Sequence, residues 1–532
     1  MDLFTSGGVP HWQMIVVLMA AISLYLILCR FTDYGSIDDA YISLRYAKNF
    51  AEGKGLVFNP GEQVEGYTNF LWTILLSVGF FFKLDGVSLS IGLGILGGCT
   101  LLILVFFITY HHLAPRTTIS RSIAAPLCVI IQLPFLCYSL SGLETTFFTL
   151  LITASIYFTF MGMKKASWLN CASLTLAIAS LTRPEATTLF FFNLIFLFWY
   201  RKRNEQHISL FLLISYAVIY LFLVGSFFLW RYYYFGFWLP NSYYVKVGGW
   251  LNPSIIKNGI EYVWRFSLLT YLIGVLPFLL FTPSFRKEPK FIYLISFIIV
   301  YLGSVIYEGG DHLAMFRFCV PVIPIVAIFY QEGWAYIIVN KILKRYTSFN
   351  RLSWLFLFLI LVFITGISSS FLIYRAPSKH GLTEYGRSKL EVTLAKQWAD
   401  FGRWLKKNTK GDEKIALITA GAIPFYSELY TIDMAGLTDT HIAHMPLELG
   451  KSYIGHEKFD NEYVLSQKPH FILTHHLVQF NRYLDEKTYN KMAYFTAHRE
   501  LVKMPALHRE YRYRCVKAGT NQFYSFYLLR TQ

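Results

Sequence analysis

Charge is scarce in this chain of 532 residues: Asp, Glu, Lys and Arg make up 15% of it, against about 25% in an ordinary soluble domain. Acidic residues are the scarcer kind, 32 against 48 basic ones, which leaves a formal net charge of +16. A basic excess of this size raises nucleic acid as a partner. The basic residues, however, lie in short clusters between apolar runs and form no stripe, which excludes that class and makes them topology determinants. Cysteine is sparse as well. Of seven, Cys29, Cys99, Cys128, Cys137, Cys171 and Cys319 fall in or at the ends of apolar runs, and Cys515 alone lies in a polar region. The sequence therefore offers no disulfide framework and no zinc spacing. No Lys or Arg precedes the apolar segment 12–29, and no small-residue cleavage site follows it, so an uncleaved anchor helix fits better than a signal peptide. The absence of a convincing internal repeat weighs against a transporter built from duplicated halves.

Apolar residues are what the chain has in quantity, 55% hydrophobic and 18% aromatic. Crossing a hydrocarbon core of about 30 Å takes roughly 20 apolar residues. About eleven such spans fall near 12–30, 88–110, 122–139, 143–162, 167–182, 185–200, 208–230, 266–284, 291–306, 317–338 and 353–374. Connectors at Arg116 and Arg121, Lys164 and Lys165, Arg201 to Arg203, Arg286 to Lys290, and Lys341 to Arg351 are basic and hence cytoplasmic. The alternate connectors then share the outer face: 31–87, SGLET at 141–145, TRPE at 182–185, 231–265, EGGDHLAMFRF at 308–318, and everything after 374. This parity requires segment 67–84, although apolar enough to span, to lie along the outer surface as a helix. Beyond 374 the sequence turns polar. Residues 387–408 have helical periodicity, while KIALITAG, YTIDMAG, HFILTH and FYSFYLLR are short apolar runs bounded by turns, as strands are. The predicted architecture is a polytopic α-helical membrane domain over 1–374, carrying the outer loop 31–87, followed by an outer α/β domain over 375–532.

The most informative stretch is SIDDAYISLRYAKNFAEGKGLVFNPGEQVEGYTN, residues 36–69. An ionisable side chain at a membrane edge is costly to hold, so a functional role is the default reading. Asp38 and Asp39 would point about 100° apart on a helix and cannot both face one reacting atom. SIDD fits a capping box with Ser36 as N-cap and Asp39 at the third helical position. That accounts for Asp39 and leaves Asp38 as the general base, its proton affinity raised by desolvation. Arg183 and Glu185 form either an ion pair that fixes a tight turn or a ligand contact. Lys246, in the outer loop PNSYYVKVGG, is a snorkelling lysine or a phosphate binder. Beside two glycines that permit close backbone approach to a ligand, Asp311 could serve a sugar hydroxyl, a divalent cation or Arg317. GLGILG at 92–97 fits a dinucleotide-binding fingerprint but lies in an apolar run with no strand before it, so small-residue helix packing is the better reading. The late histidines His441, His444, His456, His470, His475 and His476 make no compact metal pattern.

An outer acidic pair after the first membrane helix, helices lying on that face, about eleven spans and a C-terminal outer domain together resemble the GT-C superfamily of membrane glycosyltransferases. The blocks DDAYISLRYAKNFAEGKGLVFNPGEQVEGYTNFLW, SGLET, LTRPE, PNSYYVK, GGDHLAMFRF, AGLTDTHIAHM and IGHEKF occur in that order. They look like the mycobacterial terminal (beta-1,2) arabinofuranosyltransferase family, which uses polyprenyl-phosphate-arabinose, and its wider bacterial relatives. The first block is the specific one. The resemblance implies an inverting transfer of a sugar, arabinofuranose in that family, from a polyprenyl-phosphate donor to an envelope glycan or glycolipid hydroxyl. The setting it implies is the outer, periplasmic face of the bacterial inner membrane, with membrane lipids as surroundings and no nucleic acid. Carried over, Asp38 would deprotonate the acceptor while Asp39, Glu65 and Asn69 shape the sugar pocket. Lys246, Arg183 or Arg317, or a divalent cation (Mg, Mn or Ca), would balance the leaving phosphate. Two other readings stay open: a lipid-linked glycan flippase using the same charges, and a GT-C transferase for a hexose or aminoarabinose. Topology is directly testable: a reporter fused after residue 203 is expected in the cytoplasm and one after residue 380 outside. A cytoplasmic signal at 380 would separate the soluble domain from the acidic loop.

Overall fold

The computed structural model describes residues 11–113, 122–203, 208–247, 252–270, 287–337, 351–378, 381–447, 449–450 and 455–530. Arg116, Arg121, Arg286, the 341–350 part of the last basic connector and most of the expected span 266–284 lie outside the described residues. Six helices are long and apolar enough to cross a membrane: Trp12–Phe31, Gly86–Leu113, Thr145–Lys164, Leu210–Phe235, Pro289–Tyr307 and Ala314–Ile337. Helices at Leu169–Thr182, Ala186–Arg203 and Arg351–Arg375 coincide with three further expected spans. The chain is thus a multi-pass, mostly helical membrane protein, and six is the number of full-length apolar helices among its described residues.

The expected span 122–139 is not one helix. It is two short ones, Ala124–Ile130 and Leu133–Leu140, broken at Ile131 and Gln132. Pro134 causes the break, because it has no amide to donate and its ring disfavours helical backbone just before it. Ser370 of the Arg351–Arg375 helix repairs the gap: its hydroxyl donates to the Ile131 carbonyl and accepts from the Leu133 amide at 3.0 Å. The glycine run at 92–97 lies in the Gly86–Ile108 helix and serves packing. A Cβ on Gly94 would stand 2.5 Å from the Ser139 carbonyl oxygen. Within segment 67–84 the helix is Phe70–Phe81, 12 residues, or about 18 Å long. That is too short to cross about 30 Å of hydrocarbon, and it packs instead on the Asp38–Ala51 helix.

The C-terminal domain begins with the helix Glu384–Asn408 and contains a six-stranded mixed sheet. β1 (Lys414–Leu417) lies parallel to both β2 (Tyr430–Asp433) and β3 (Phe471–Ile472). β6 (Gln522–Leu529) runs antiparallel to β3, to the two-residue β4 (Gln479–Phe480) and to β5 (Tyr511–Gly519). The four apolar runs read as strands are all strands, and β4 and β5 are additions to that reading.

One helix joins this domain to the membrane part. Asp38–Ala51 is buried over most of its length, and its Arg45 guanidinium is closed in from both sides. It donates to the Phe58 carbonyl at 2.7 Å, the Asn59 side-chain oxygen at 3.1 Å and, across the domain boundary, the carbonyls of Leu429 at 2.8 Å and Pro424. Asn59 adds a two-way bond with the Thr431 backbone, at 2.9 and 3.0 Å. Hydrogen bonds to a charged donor contribute about 1.5–3 kcal/mol each, so Arg45→Ala is expected to weaken docking by roughly 3 kcal/mol or more. Protease cleavage near residue 380 should then accelerate about a hundredfold. An unchanged cleavage rate would remove Arg45 as the anchor.

Candidate active site

The two aspartates open the Asp38–Ala51 helix, but not as a capping box. Ile37 is the N-cap and makes no side-chain cap bond, so Asp38 and Asp39 stand at the first two helical positions and Ser36 has no capping role. The physical reason is a better use for the carboxylate. Asp38 reaches out to the C-terminal domain, where its two oxygens accept from the amides of Ala422 at 2.7 Å and Gly421 at 3.2 Å. The approach is close enough to require glycine, since a Cβ on Gly421 would stand 2.1 Å from the Asp38 carbonyl oxygen. Burial pushes the Asp38 carboxyl up to about 7, against the pull of the two amides, and the neighbouring Asp39 charge adds to the rise.

Asp39 points elsewhere, its carboxylate 3.6 Å from Arg317. It sits where two cavities meet, one of about 210 Å³ and one of about 390 Å³, both bordered by Asp39, Ile42, Lys246 and Leu437. Asp38 borders the larger cavity alone. Of the other residues singled out from the sequence, Asn69, Arg183, Glu185, Lys246 and Arg317 line the smaller one. Glu65 and Asp311 line neither.

The reason is ion pairing. Glu65 is spent on Arg231, 2.9 Å away, and acts on the cavity through that guanidinium and through its own carbonyl. The carbonyl accepts from Asn241 at 2.9 Å and so seats the short helix Asn241–Lys246. Asp311 is spent on Arg317 at 2.6 Å. Burial alone would raise the Asp311 carboxyl, but Arg317 and His312 hold it well below the usual carboxylate range. The glycines before it serve the fold as much as any ligand: Gly309 and Gly310 take φ of 83° and 76°, and a Cβ on Gly310 would meet the Tyr262 ring at 2.6 Å. Arg183 has the turn-fixing pair foreseen as one alternative, with Glu185 and also with Glu144 at 2.7 Å. Glu144 in turn accepts from Asn69 at 2.8 Å, and Asn69 accepts from Ser43 at 3.0 Å. This chain of bonds ties the DD helix to SGLET and TRPE.

Lys246 stands apart. It has no ion-pair or hydrogen-bond partner among the described residues, and both cavities open on it. Arg231, Glu144 and Glu308 complete the polar wall of the smaller cavity and were not singled out from the sequence. A lone arginine at the outer end of an apolar helix is the signal that marks Arg231. On one side Val224, Phe227 and Phe228 make the wall apolar. They belong to the Leu210–Phe235 helix, whose far face exposes Phe211, Leu221, Phe222 and Tyr233, as a lipid-facing helix does. No group of three His, Cys, Asp or Glu side chains is placed to hold a metal ion among the described residues.

Comparison with known proteins adds four findings. A family model described as a domain of unknown function (DUF8728) matches residues 388–527. The chain is 34% identical over 117 residues to the terminal beta-(1->2)-arabinofuranosyltransferase of Mycobacterium tuberculosis, a stretch covering 20% of this chain and 18% of that protein. Among solved structures, ArnT from Cupriavidus metallidurans bound to undecaprenyl phosphate superposes with a TM-score of 0.57 at 10% identity, covering 97% of this chain and 98% of that one. An Archaeoglobus fulgidus oligosaccharyltransferase tethered with an acceptor peptide gives a TM-score of 0.49 at 12% identity, covering 79% and 64%. The fold is therefore that of ArnT, and part of the sequence resembles the arabinofuranosyltransferase.

A pH test follows from the Asp38 environment. A carboxyl whose value is raised on folding favours the folded state most below its unfolded value, about 3.9. That advantage is lost as pH rises through about 7, where Asp38 ionises in the folded protein. Asp38→Asn should accordingly flatten the fall in thermal midpoint between pH 5 and 8. An unchanged slope would mean that Asp38 titrates as an ordinary exposed aspartate.

Proposed function

We propose that this protein is a polyprenyl-phosphate-dependent glycosyltransferase of the bacterial inner membrane. It moves a sugar, arabinofuranose by resemblance, to a hydroxyl of an envelope glycan or glycolipid at the periplasmic face. The observation that carries this reading is Lys246, an unpaired cation at the junction of two cavities. A cation that no carboxylate contacts directly offers a place to an anion brought by a ligand. The wall beside it is apolar and belongs to a helix with a lipid-facing side, which suits a phosphate on a hydrocarbon carrier. The fold shared with a protein solved with undecaprenyl phosphate supports the same donor class.

In this mechanism the donor's phosphate lies in the smaller cavity against Lys246, Arg231 and Arg317, and the acceptor hydroxyl approaches from the larger one. The hydroxyl oxygen attacks the anomeric carbon with inversion as the bond from that carbon to the phosphate oxygen breaks. The phosphate leaves with the electron pair, and fixed cations stabilise its growing charge. Asp38 takes the hydroxyl proton. Its two backbone bonds leave free lone pairs on both oxygens, and a value near 7 suits a base that must hold a proton briefly at neutral pH. Asp39, held by Arg317, orients the sugar between the two cavities.

The test is purified protein in proteoliposomes with synthetic polyprenyl-phosphate arabinofuranose, alongside hexose and aminoarabinose donors. Release of polyprenyl phosphate is expected from one of them. It should drop by about 10² to 10⁴ in Asp38→Asn, the usual contribution of a general base, and kcat/KM should rise with pH through about 7 because the base acts ionised. Lys246→Met should raise the donor KM. Lipid movement between leaflets without bond cleavage would replace this reading with translocation.

A further inference from the structure

The larger cavity is only half explained by the aspartates at its mouth. Its opposite wall comes from the C-terminal domain, chiefly Glu391 and Trp398 on the Glu384–Asn408 helix and Tyr494 and Phe495 farther on. Glu391 is used on one side only. Its Oε1 accepts from the Ala314 amide at 3.1 Å and lies 3.5 Å from the Arg387 guanidinium. Its Oε2 is buried with no hydrogen-bond partner among the described residues.

Folded proteins rarely leave a buried carboxylate oxygen unsatisfied, because each such atom forfeits its hydration for nothing. Glu391 also lines the cavity of about 390 Å³, where a ligand group could supply the partner its side chain lacks. Burial also pushes the Glu391 carboxyl up to about 8, with Arg387 and the Ala314 amide opposing and the charges of Asp311 and Asp39 adding to the rise. The side chain thus sits near the balance between accepting and donating. The rest of the wall narrows the ligand class. Trp398 and Tyr494 bring aromatic surface to this wall beside the polar groups of Arg387, Glu391 and Thr419, a mix that suits a sugar ring with C–H faces and a rim of hydroxyls.

We infer that the larger cavity is a carbohydrate subsite and that Glu391 hydrogen-bonds a hydroxyl of the glycan it holds. In the transferase reading, on which this assignment of the glycan as acceptor rests, the bonded hydroxyl is a neighbour of the one Asp38 deprotonates. Glu391 then registers the acceptor against the donor carbon. The domain of unknown function matched at 388–527 thereby gains a task, which is to supply the half of the site that selects the acceptor.

The experiment uses the purified full-length protein without donor. Saturation-transfer NMR is run against a panel of short neutral oligosaccharides, furanosides and pyranosides alike. At least one member is expected to bind, and Glu391→Leu should weaken it about tenfold, while Glu391→Gln, which keeps hydrogen-bonding atoms in place, stays within about threefold. Tyr494→Ala, which leaves the buried carboxylate untouched, should weaken binding about fivefold through lost stacking and decides the matter if the leucine variant fails to fold. Binding by no member of the panel overturns the inference, as does equal binding by all three variants. Under turnover the acceptor KM should rise in Glu391→Leu; a lower kcat at unchanged KM would assign Glu391 to the chemistry and overturn the positioning role. The two readings fail separately: glycan binding without cleavage of any sugar donor removes the transferase, and donor cleavage without glycan binding removes this subsite.

Discussion

Charge held at the edge of a bilayer has to be balanced, and that constraint organises this protein around its cavities. Three guanidiniums meet the constraint inside the protein: Arg183 with Glu144 and Glu185, Arg231 with Glu65, and Arg317 with Asp311 and Asp39. The pairs with Glu144, Glu185, Glu65 and Asp311 are buried, and stripping one partner would leave a desolvated charge, a loss of about 3–5 kcal/mol in comparable cases. Such pairs add little net stability over apolar packing. Their worth here is positional, because each carries a cationic face to a cavity wall at fixed orientation. Lys246 breaks the pattern, since it has no ion-pair partner among the described residues.

The geometry that follows is strained where it must be. Met315 and Phe316, neither of them glycine, take φ of 63° and 53°, in a region that costs of order 1–3 kcal/mol per residue. Both are buried, so packing holds them there. The turn they make brings Arg317 back between Asp311 and Asp39, which an uninterrupted helix from Ala314 would not do. Strain and ion pairing are therefore two parts of one arrangement: the pair offsets the bend, and the bend places the pair at the junction of the cavities.

What the sequence revealed and what it concealed divide along physical lines. The long apolar helices and the four strands were legible because each is a local pattern of period or length, written in consecutive residues. The break at Pro134 was legible in principle but masked by the hydropathy of 122–139, which says how much apolar surface there is and nothing about helix continuity. β5 was hidden by its charges: Arg512, Arg514 and Lys517 face outward on a strand of the hairpin, and a run of that composition does not read as apolar. The role of Ser36 was misread because the capping box is a local rule. A longer-range partner, the amides at 421 and 422, claimed the carboxylate at 38 and shifted the start of the helix. Arg45, Arg231 and Glu391 were passed over for the same reason, since each has partners far along the chain, up to 384 positions away, or belongs to a cavity wall that sequence spacing cannot display.

The same long-range contacts explain why the acidic pair is divided between two jobs. Adjacent helical positions diverge by about 100°, so one carboxylate turns to the C-terminal domain and the other to Arg317. Asp38 gains a desolvated setting only because Gly421 lets that domain close over it; without a docked domain it would stand in water with an ordinary affinity for protons. Asp39 instead stands 3.6 Å from the Arg317 guanidinium. The protein thus makes two acidic residues of one type chemically unlike by giving them different neighbours, and the neighbour that matters for Asp38 is the domain that also walls the larger cavity. The proton affinity of Asp38 and the shape of the second cavity are consequently both set by a single docking surface.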